Sequence, residues 1–175
     1  MTFRRVCYLR IDHEPAGQPR AYPSNAGKFP VMITDWKYRT GPRKGQYRAA
    51  YHFRQAIKAA AMLAAEPTIL SCPLKLSIRV YFPRPQRLLT RNSPDGPIPH
   101  IVVPDADNIT KLVKDGINDA VIFWTDDRIV FDEHCEKWYV SRCGRPGAGI
   151  LIEAAAENPA LPFMPNTDLS GVSRA

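Results

Sequence analysis

Residues 104–127 read Pro-Asp-Ala-Asp-Asn-Ile-Thr-Lys-Leu-Val-Lys-Asp-Gly-Ile-Asn-Asp-Ala-Val-Ile-Phe-Trp-Thr-Asp-Asp. A helix-length stretch is bracketed by acids, in a 175-residue chain whose net charge is +7. With Asp107 at 0° and about 100° per residue, Ile109, Leu112, Val113, Ile117 and Ala120 form one apolar stripe. Asp107, Lys111, Lys114, Asp115 and Asn118 share the opposite face. The pattern predicts an amphipathic helix over about 107–121. Unneutralised carboxylates about 5 Å apart repel by roughly 3 kcal/mol per pair at an effective dielectric near 20. Protons or divalent cations must relieve that repulsion, so an acidic nest in a basic chain points to a metal site acting on a polyanion.

An apolar content of 45% suffices for a core, and a mean hydropathy of −0.29 fits a soluble protein. No segment approaches the roughly 18 apolar residues of a membrane span. The N-terminus carries no signal-peptide pattern, so a cytoplasmic location is expected. Cys7, Cys72, Cys135 and Cys143 lack a C-x-x-C pair and read as free thiols; His134, Cys135 and Cys143 lack the short spacings of structural zinc. Charge is segregated. Residues 1–58 hold twelve Lys/Arg against three acids, and residues 101–136 hold nine acids against three bases. A basic region beside an acidic pocket suits an enzyme that attracts phosphate with one part and cuts it with another.

Outward from the central stretch, residues 3–12 and Leu74–Phe82 alternate as strands do. Residues 46–65, rich in Ala and free of Pro and Gly, predict a helix. Ile129–Val140 and Gly149–Ala155 are two further strand candidates, and a short hairpin is expected around Phe29–Thr34. The prolines of residues 83–100 predict a loop without regular structure, and Arg84, Arg87 and Arg91 make it a candidate DNA-contacting flap. The expected architecture is α/β (α+β): one small domain over 1–157, a mixed sheet of about four strands with two main helices, and a flexible tail over 158–175.

Asp107, at the predicted helix start, is a good N-cap, but capping does not account for Asp105. In an extended segment these two acids point the same way and can converge on one ion. Calcium in an EF-hand is excluded, because Ile109 and Thr110 stand where that loop needs Asp/Asn and Gly. Hard carboxylate oxygens suit Mg²⁺, which keeps waters and takes phosphate oxygens as further ligands. Such ions activate water and stabilise a leaving 3′ oxygen, and Lys111, one turn from Asp107, is placed to offset charge at phosphorus. For Asp115 and Lys114 an ordinary surface ion-pair face is the competing reading.

Pro-Asp-Ala-Asp-Asn-Ile-Thr-Lys at 104–111, Asp115 with Asn118, and Phe-Trp-Thr-Asp-Asp at 123–127 closely resemble the signature of RusA-type Holliday junction resolvases, crossover junction endodeoxyribonucleases of bacteria and their phages. That pattern runs D-x-D-N-x-x-K, then D-A-L-N, then W-x-D-D. Gly116-Ile117 replaces its Ala-Leu, and Ala16-Gly17-Gln18-Pro19-Arg20 is similar to an early family segment in reduced form. The resemblance implies a homodimer that nicks four-way DNA junctions symmetrically, with Mg²⁺ as cofactor and Mn²⁺ able to substitute. It makes Asp105, Asp107 and Asp127 essential carboxylates and metal ligands, Asp126 a further candidate ligand, and Lys111 a catalytic helper. Arg20, Lys28, Arg84, Arg87, Arg91 and Lys114 are the expected DNA contacts. Two alternatives stand beside this: a non-catalytic junction- or DNA-binding protein on the same scaffold, and a metal-dependent transferase, which lacks a nucleotide-binding strand–loop–helix.

Overall fold

Leu74, Leu76, Ile78, Val80 and Phe82 alternate along one strand, and all five are buried. In the computed structural model of the protein, which describes residues 2–18, 22–24, 31–33, 37, 42–44, 48–64, 69–124 and 126–155, this strand is the middle of a five-stranded sheet. In chain order the elements are β1 (Phe3–Ile11), β2 (Tyr22–Ser24), β3 (Val31–Ile33), α1 (Ala49–Ala64), β4 (Leu74–Phe82), β5 (Ile98–Pro99), α2 (Ala106–Asn118), β6 (Val130–Tyr139) and β7 (Gly147–Ala155). The sheet order is β1-β7-β4-β6-β5, and only the β4–β6 pair is parallel. A parallel pair requires a crossover, and α2 supplies it. Strands β2 and β3 form a separate antiparallel pair, which places Val31–Ile33 of the expected hairpin; Phe29, Pro30 and Thr34 lie outside the described residues.

The architecture is α+β with a mixed sheet and two helices, as expected, but the main sheet has five strands rather than about four. The added strand, β5, is two residues long and too short to show any periodicity. Its Pro99 is tolerated because β5 is an edge, where a missing N–H breaks no inner ladder. The 83–100 segment is likewise less irregular than its prolines suggest. A 3-10 turn covers Gln86–Leu88. Buried Arg84 donates to the carbonyls of Val140 (3.0 Å), Pro94 (2.6 Å) and Gly96, while Arg142 donates to those of Thr90 and Ser93 (2.9 Å each). Two arginines therefore staple this segment to the end of β6.

Both helices cover one face of the sheet. Phe53, Ile57 and Ala61 of α1 and Ile109, Leu112, Val113 and Ile117 of α2 join the β4 side chains in a single core. Ala120 is only partly buried, because α2 ends at Asn118. At the helix crossing, a Cβ on Gly116 would sit 3.0 Å from Ile57 Cγ2 and 3.2 Å from the Arg54 carbonyl, so the residue replacing the family's Ala is what allows this close approach. Arg54 then ties the helices with a two-pronged bond to Asp119 (2.7 and 2.8 Å), and its Nη1 lies 3.8 Å from Asp115. Asp115 thus belongs to the helix–helix contact.

The other face of the sheet is open. It carries Lys75–Asp132 (3.0 Å) and Arg79–Glu136 (2.6 Å) cross-strand pairs and a depression of about 240 Å³ lined by Tyr8, Ser77, Arg79, Tyr81, His134 and Glu136. This depression is on the side away from α2. Arg79, together with the Trp138 and His134 side chains, holds the Glu136 carboxyl down from an ordinary 4.5 to about 2. A carboxyl depressed on folding adds stability that is present above its unfolded pKa and is lost as pH falls through the folded value. Glu136→Gln should therefore melt below the wild type near about pH 6, and the two melting temperatures should converge toward about pH 2. An equal gap at both pH values would show that the carboxylate charge is irrelevant.

Candidate active site

The approach to α2 is held from three sides. His100 is buried, stacked on Phe82 (ring centroids 4.1 Å apart) and packed against Tyr139 (4.6 Å), and its amide donates to the Lys137 carbonyl. Lys137 Nζ in turn donates to the carbonyls of Val102 (2.9 Å) and Pro104 (2.8 Å). On the third side a Cβ at Gly17 would collide with the Pro104 ring, and the Gln18 amide donates to the Asn108 carbonyl at 3.2 Å. The Ala16-Gly17-Gln18 segment therefore braces the start of α2; Pro19, Arg20 and Lys28 lie outside the described residues. Lys137 is a participant that no sequence motif marked, because its role depends on strand β6 lying beside the 102–104 turn.

The helix begins one residue earlier than its periodicity suggested, so Asp105 and not Asp107 takes the N-cap position. Its backbone is extended (φ −71°, ψ 156°) and its side chain makes no capping hydrogen bond. Asp107 lies in the first helical turn, so the two acids are not in one extended run; the helix turns between them. Both are exposed. Among the described residues the side chains of Asp107 and Lys111 make no hydrogen bond or ion pair, and both lie on the polar stripe of α2. Asp107, Lys111 and Asp115 therefore form no run of ion pairs along the polar stripe: Asp115 faces Arg54 instead.

Past α2 the chain returns through Phe123 and Trp124, which are 2% and 0% exposed. Trp124 Nε1 donates to the Asn118 side-chain oxygen, so the motif's Asn and Trp act together as a staple. Asp126 caps the 3-10 turn Asp127–Ile129, accepting from the Arg128 amide at 3.0 Å. Asp127 faces α2: its carboxylate lies 3.4 Å from Lys114 Nζ, which also meets Glu133 at 3.0 Å. Burial alone would lower the Lys114 pKa, but the hydrogen bonds and charges of Glu133 and Asp127 outweigh it and raise it. Lys114 is seven residues, about 10 Å, along the helix from Asp107 on the same stripe. The Asp-Asp turn is thus brought to the polar face of α2, with Glu133 as an unforeseen neighbour.

The donors are of the right kind for a hard divalent cation: exposed carboxylates at 105 and 107, and a third at 127 on the same side of the helix. Among the described residues, however, no three His, Cys, Asp or Glu side chains gather closely enough to hold an ion. Asp105 and Asp107 are both exposed, and Asp127 is paired with Lys114. Two of the expected DNA contacts change role. Arg84 is buried with its donors on backbone carbonyls, and Lys114 faces acids; Arg87 and Arg91 remain exposed.

A mixed sheet covered on one side by two helices, with exposed acids and a lysine where α2 begins, suits a small α+β enzyme of the phosphodiester-cleaving kind. The chain belongs to the RusA endodeoxyribonuclease family, whose model, described as Endodeoxyribonuclease RusA, matches residues 12–153. No curated protein matches it. The match spans β4, β6, both helices and every acid discussed above, so the protein is an endodeoxyribonuclease. No helix among the described residues is long and apolar enough to cross a membrane.

Proposed function

We propose that the protein resolves four-way DNA junctions by paired symmetric nicks, in recombination and repair, as a cytoplasmic homodimer that requires Mg²⁺ or Mn²⁺. The observation that carries this reading is the exposed Asp105/Asp107 pair with Lys111 one turn on, in a chain matched to the family across 12–153. Asp105 and Asp107 would hold the cation, with Asp127 as a third ligand only where it leaves Lys114; when bound, the cation supplies Lewis acidity toward phosphate and lowers the pKa of water. Lys111, without an acidic partner among the described residues, is available to offset negative charge on the phosphate oxygens. Lys114 holds Asp127 and Glu133 against mutual repulsion and fixes the Asp-Asp turn on α2. Arg87 and Arg91 contact the DNA backbone, which makes affinity fall with salt. Two symmetric cuts call for two sites related by a two-fold axis, hence the dimer.

The test is a labelled four-way junction incubated with the protein with and without Mg²⁺. Paired nicks at symmetric positions that depend on the cation are expected. Tight binding without nicking in any divalent metal would replace this reading with that of a junction-binding protein.

A further inference from the structure

Ile101, Val102 and Val103 are consecutive β-branched apolar residues, 89%, 43% and 75% exposed. Water-facing aliphatic side chains are ordinary when single; three in a row on a fixed turn are not. The turn is fixed at both ends. His100 is locked between two aromatic rings, Lys137 grips the carbonyls of residues 102 and 104, and Asp105 opens α2. The strip is therefore a braced apolar projection, and it sits immediately before the acids proposed to hold the cation.

We propose that Ile101 and Val103 form a wedge that inserts against unstacked bases at the branch point of the DNA, next to the phosphate to be cut; this rests on the junction-cleaving reading above. Reach supports it. Two residues of chain span at most about 7 Å, so Val103 stays within about two base steps of Asp105, beside the cation that would meet the phosphate. Chemistry supports it too. Apolar side chains inserted between base steps are a general means of opening and kinking DNA, and a branch point presents bases whose stacking is already interrupted. Size argues against a second protein copy as the occupant. A stable protein interface needs about 800 Å² per partner, far more than three side chains provide, whereas a wedge needs only one or two. The strip also explains a sequence oddity: an exposed Ile-Val-Val run at the edge of a DNA-processing site where a basic run would serve phosphate better.

The experiment compares wild type with Ile101→Ser/Val103→Ser on a four-way junction carrying 2-aminopurine at the branch point. Fluorescence is read in Ca²⁺ and nicking in Mg²⁺. Wild type should raise the fluorescence on binding. The double variant should lose most of that rise and nick at least tenfold more slowly, with an unchanged Kd for linear duplex and an unchanged sedimentation mass. Ile101→Phe, which keeps an apolar wedge, should retain both signals, and this separates wedging from a folding defect. Equal fluorescence and equal nicking in wild type and the double variant would overturn the wedge. A drop in sedimentation mass would overturn it as well, by assigning the strip to contact between copies. Should the wild type fail to nick at all, the junction-cleaving reading falls, while the fluorescence difference still judges the wedge.

Discussion

Asp107→Asn is expected to slow junction nicking by about 100- to 1000-fold while leaving junction affinity equal or tighter. The substitution keeps the size of the side chain and one carbonyl oxygen but removes the charge. A hard divalent cation depends on anionic oxygen donors, so loss of a direct ligand should exceed the roughly 10–100-fold cost of losing an outer partner. It should reach the scale of lost transition-state electrostatics, about 100–1000-fold. Folding should be unaffected, because Asp107 is exposed and its side chain makes no hydrogen bond or ion pair among the described residues. Affinity should not drop, since one fewer negative charge faces phosphate. Single-turnover nicking at saturating Mg²⁺ and gel shift in Ca²⁺ check the two halves separately. Substantial cleavage by the variant would mean that Asp107 is not a ligand.

Trp124→Ala is expected to be the most damaging single change to the fold. The side chain is fully buried and joins the end of α2 to the return strand through Asn118. Removing a buried Trp costs about 3–5 kcal/mol, and here it also leaves the Asn118 oxygen without its donor. At about 2–4 °C per kcal/mol for a chain of this size, the melting temperature should fall by roughly 10 °C. Nicking should fall with it even below the melt, because Asp126 and Asp127 follow Trp124 directly. Trp124→Phe keeps most of the apolar volume and loses only the N–H, so it should cost about 1 kcal/mol and spare most activity. Similar melting temperatures for the Ala variant and wild type, read by differential scanning calorimetry, would show that this staple is dispensable.

Much of this was legible in the chain. The alternation of Leu74–Phe82 and the apolar stripe of α2 fixed one strand and one helix, because a half-buried element must repeat its apolar residues at its own geometric period. The acids at 105, 107, 126 and 127 and the lysine at 111 were legible as a motif, because they crowd one short stretch of chain, but not as a closed cluster: Asp127 meets Lys114 instead. What periodicity could not reveal are contacts between residues far apart in the chain. Arg84 reads as a DNA contact until the end of β6 and residues 94–96 are seen to take its donors. Asp115 reads as one acid of an exposed polar face until α1 presents Arg54.

The amino-acid order alone determined the two long helices and the long strands, the charge segregation and the acid-bearing motif, since each depends on neighbours within a turn or two. Only the tertiary structure decided which charged side chains are paired across the fold. Lys114, Lys137 and Arg54 each meet their partners across a packing contact, and a charged side chain's role is set by what lies within a few ångströms in space.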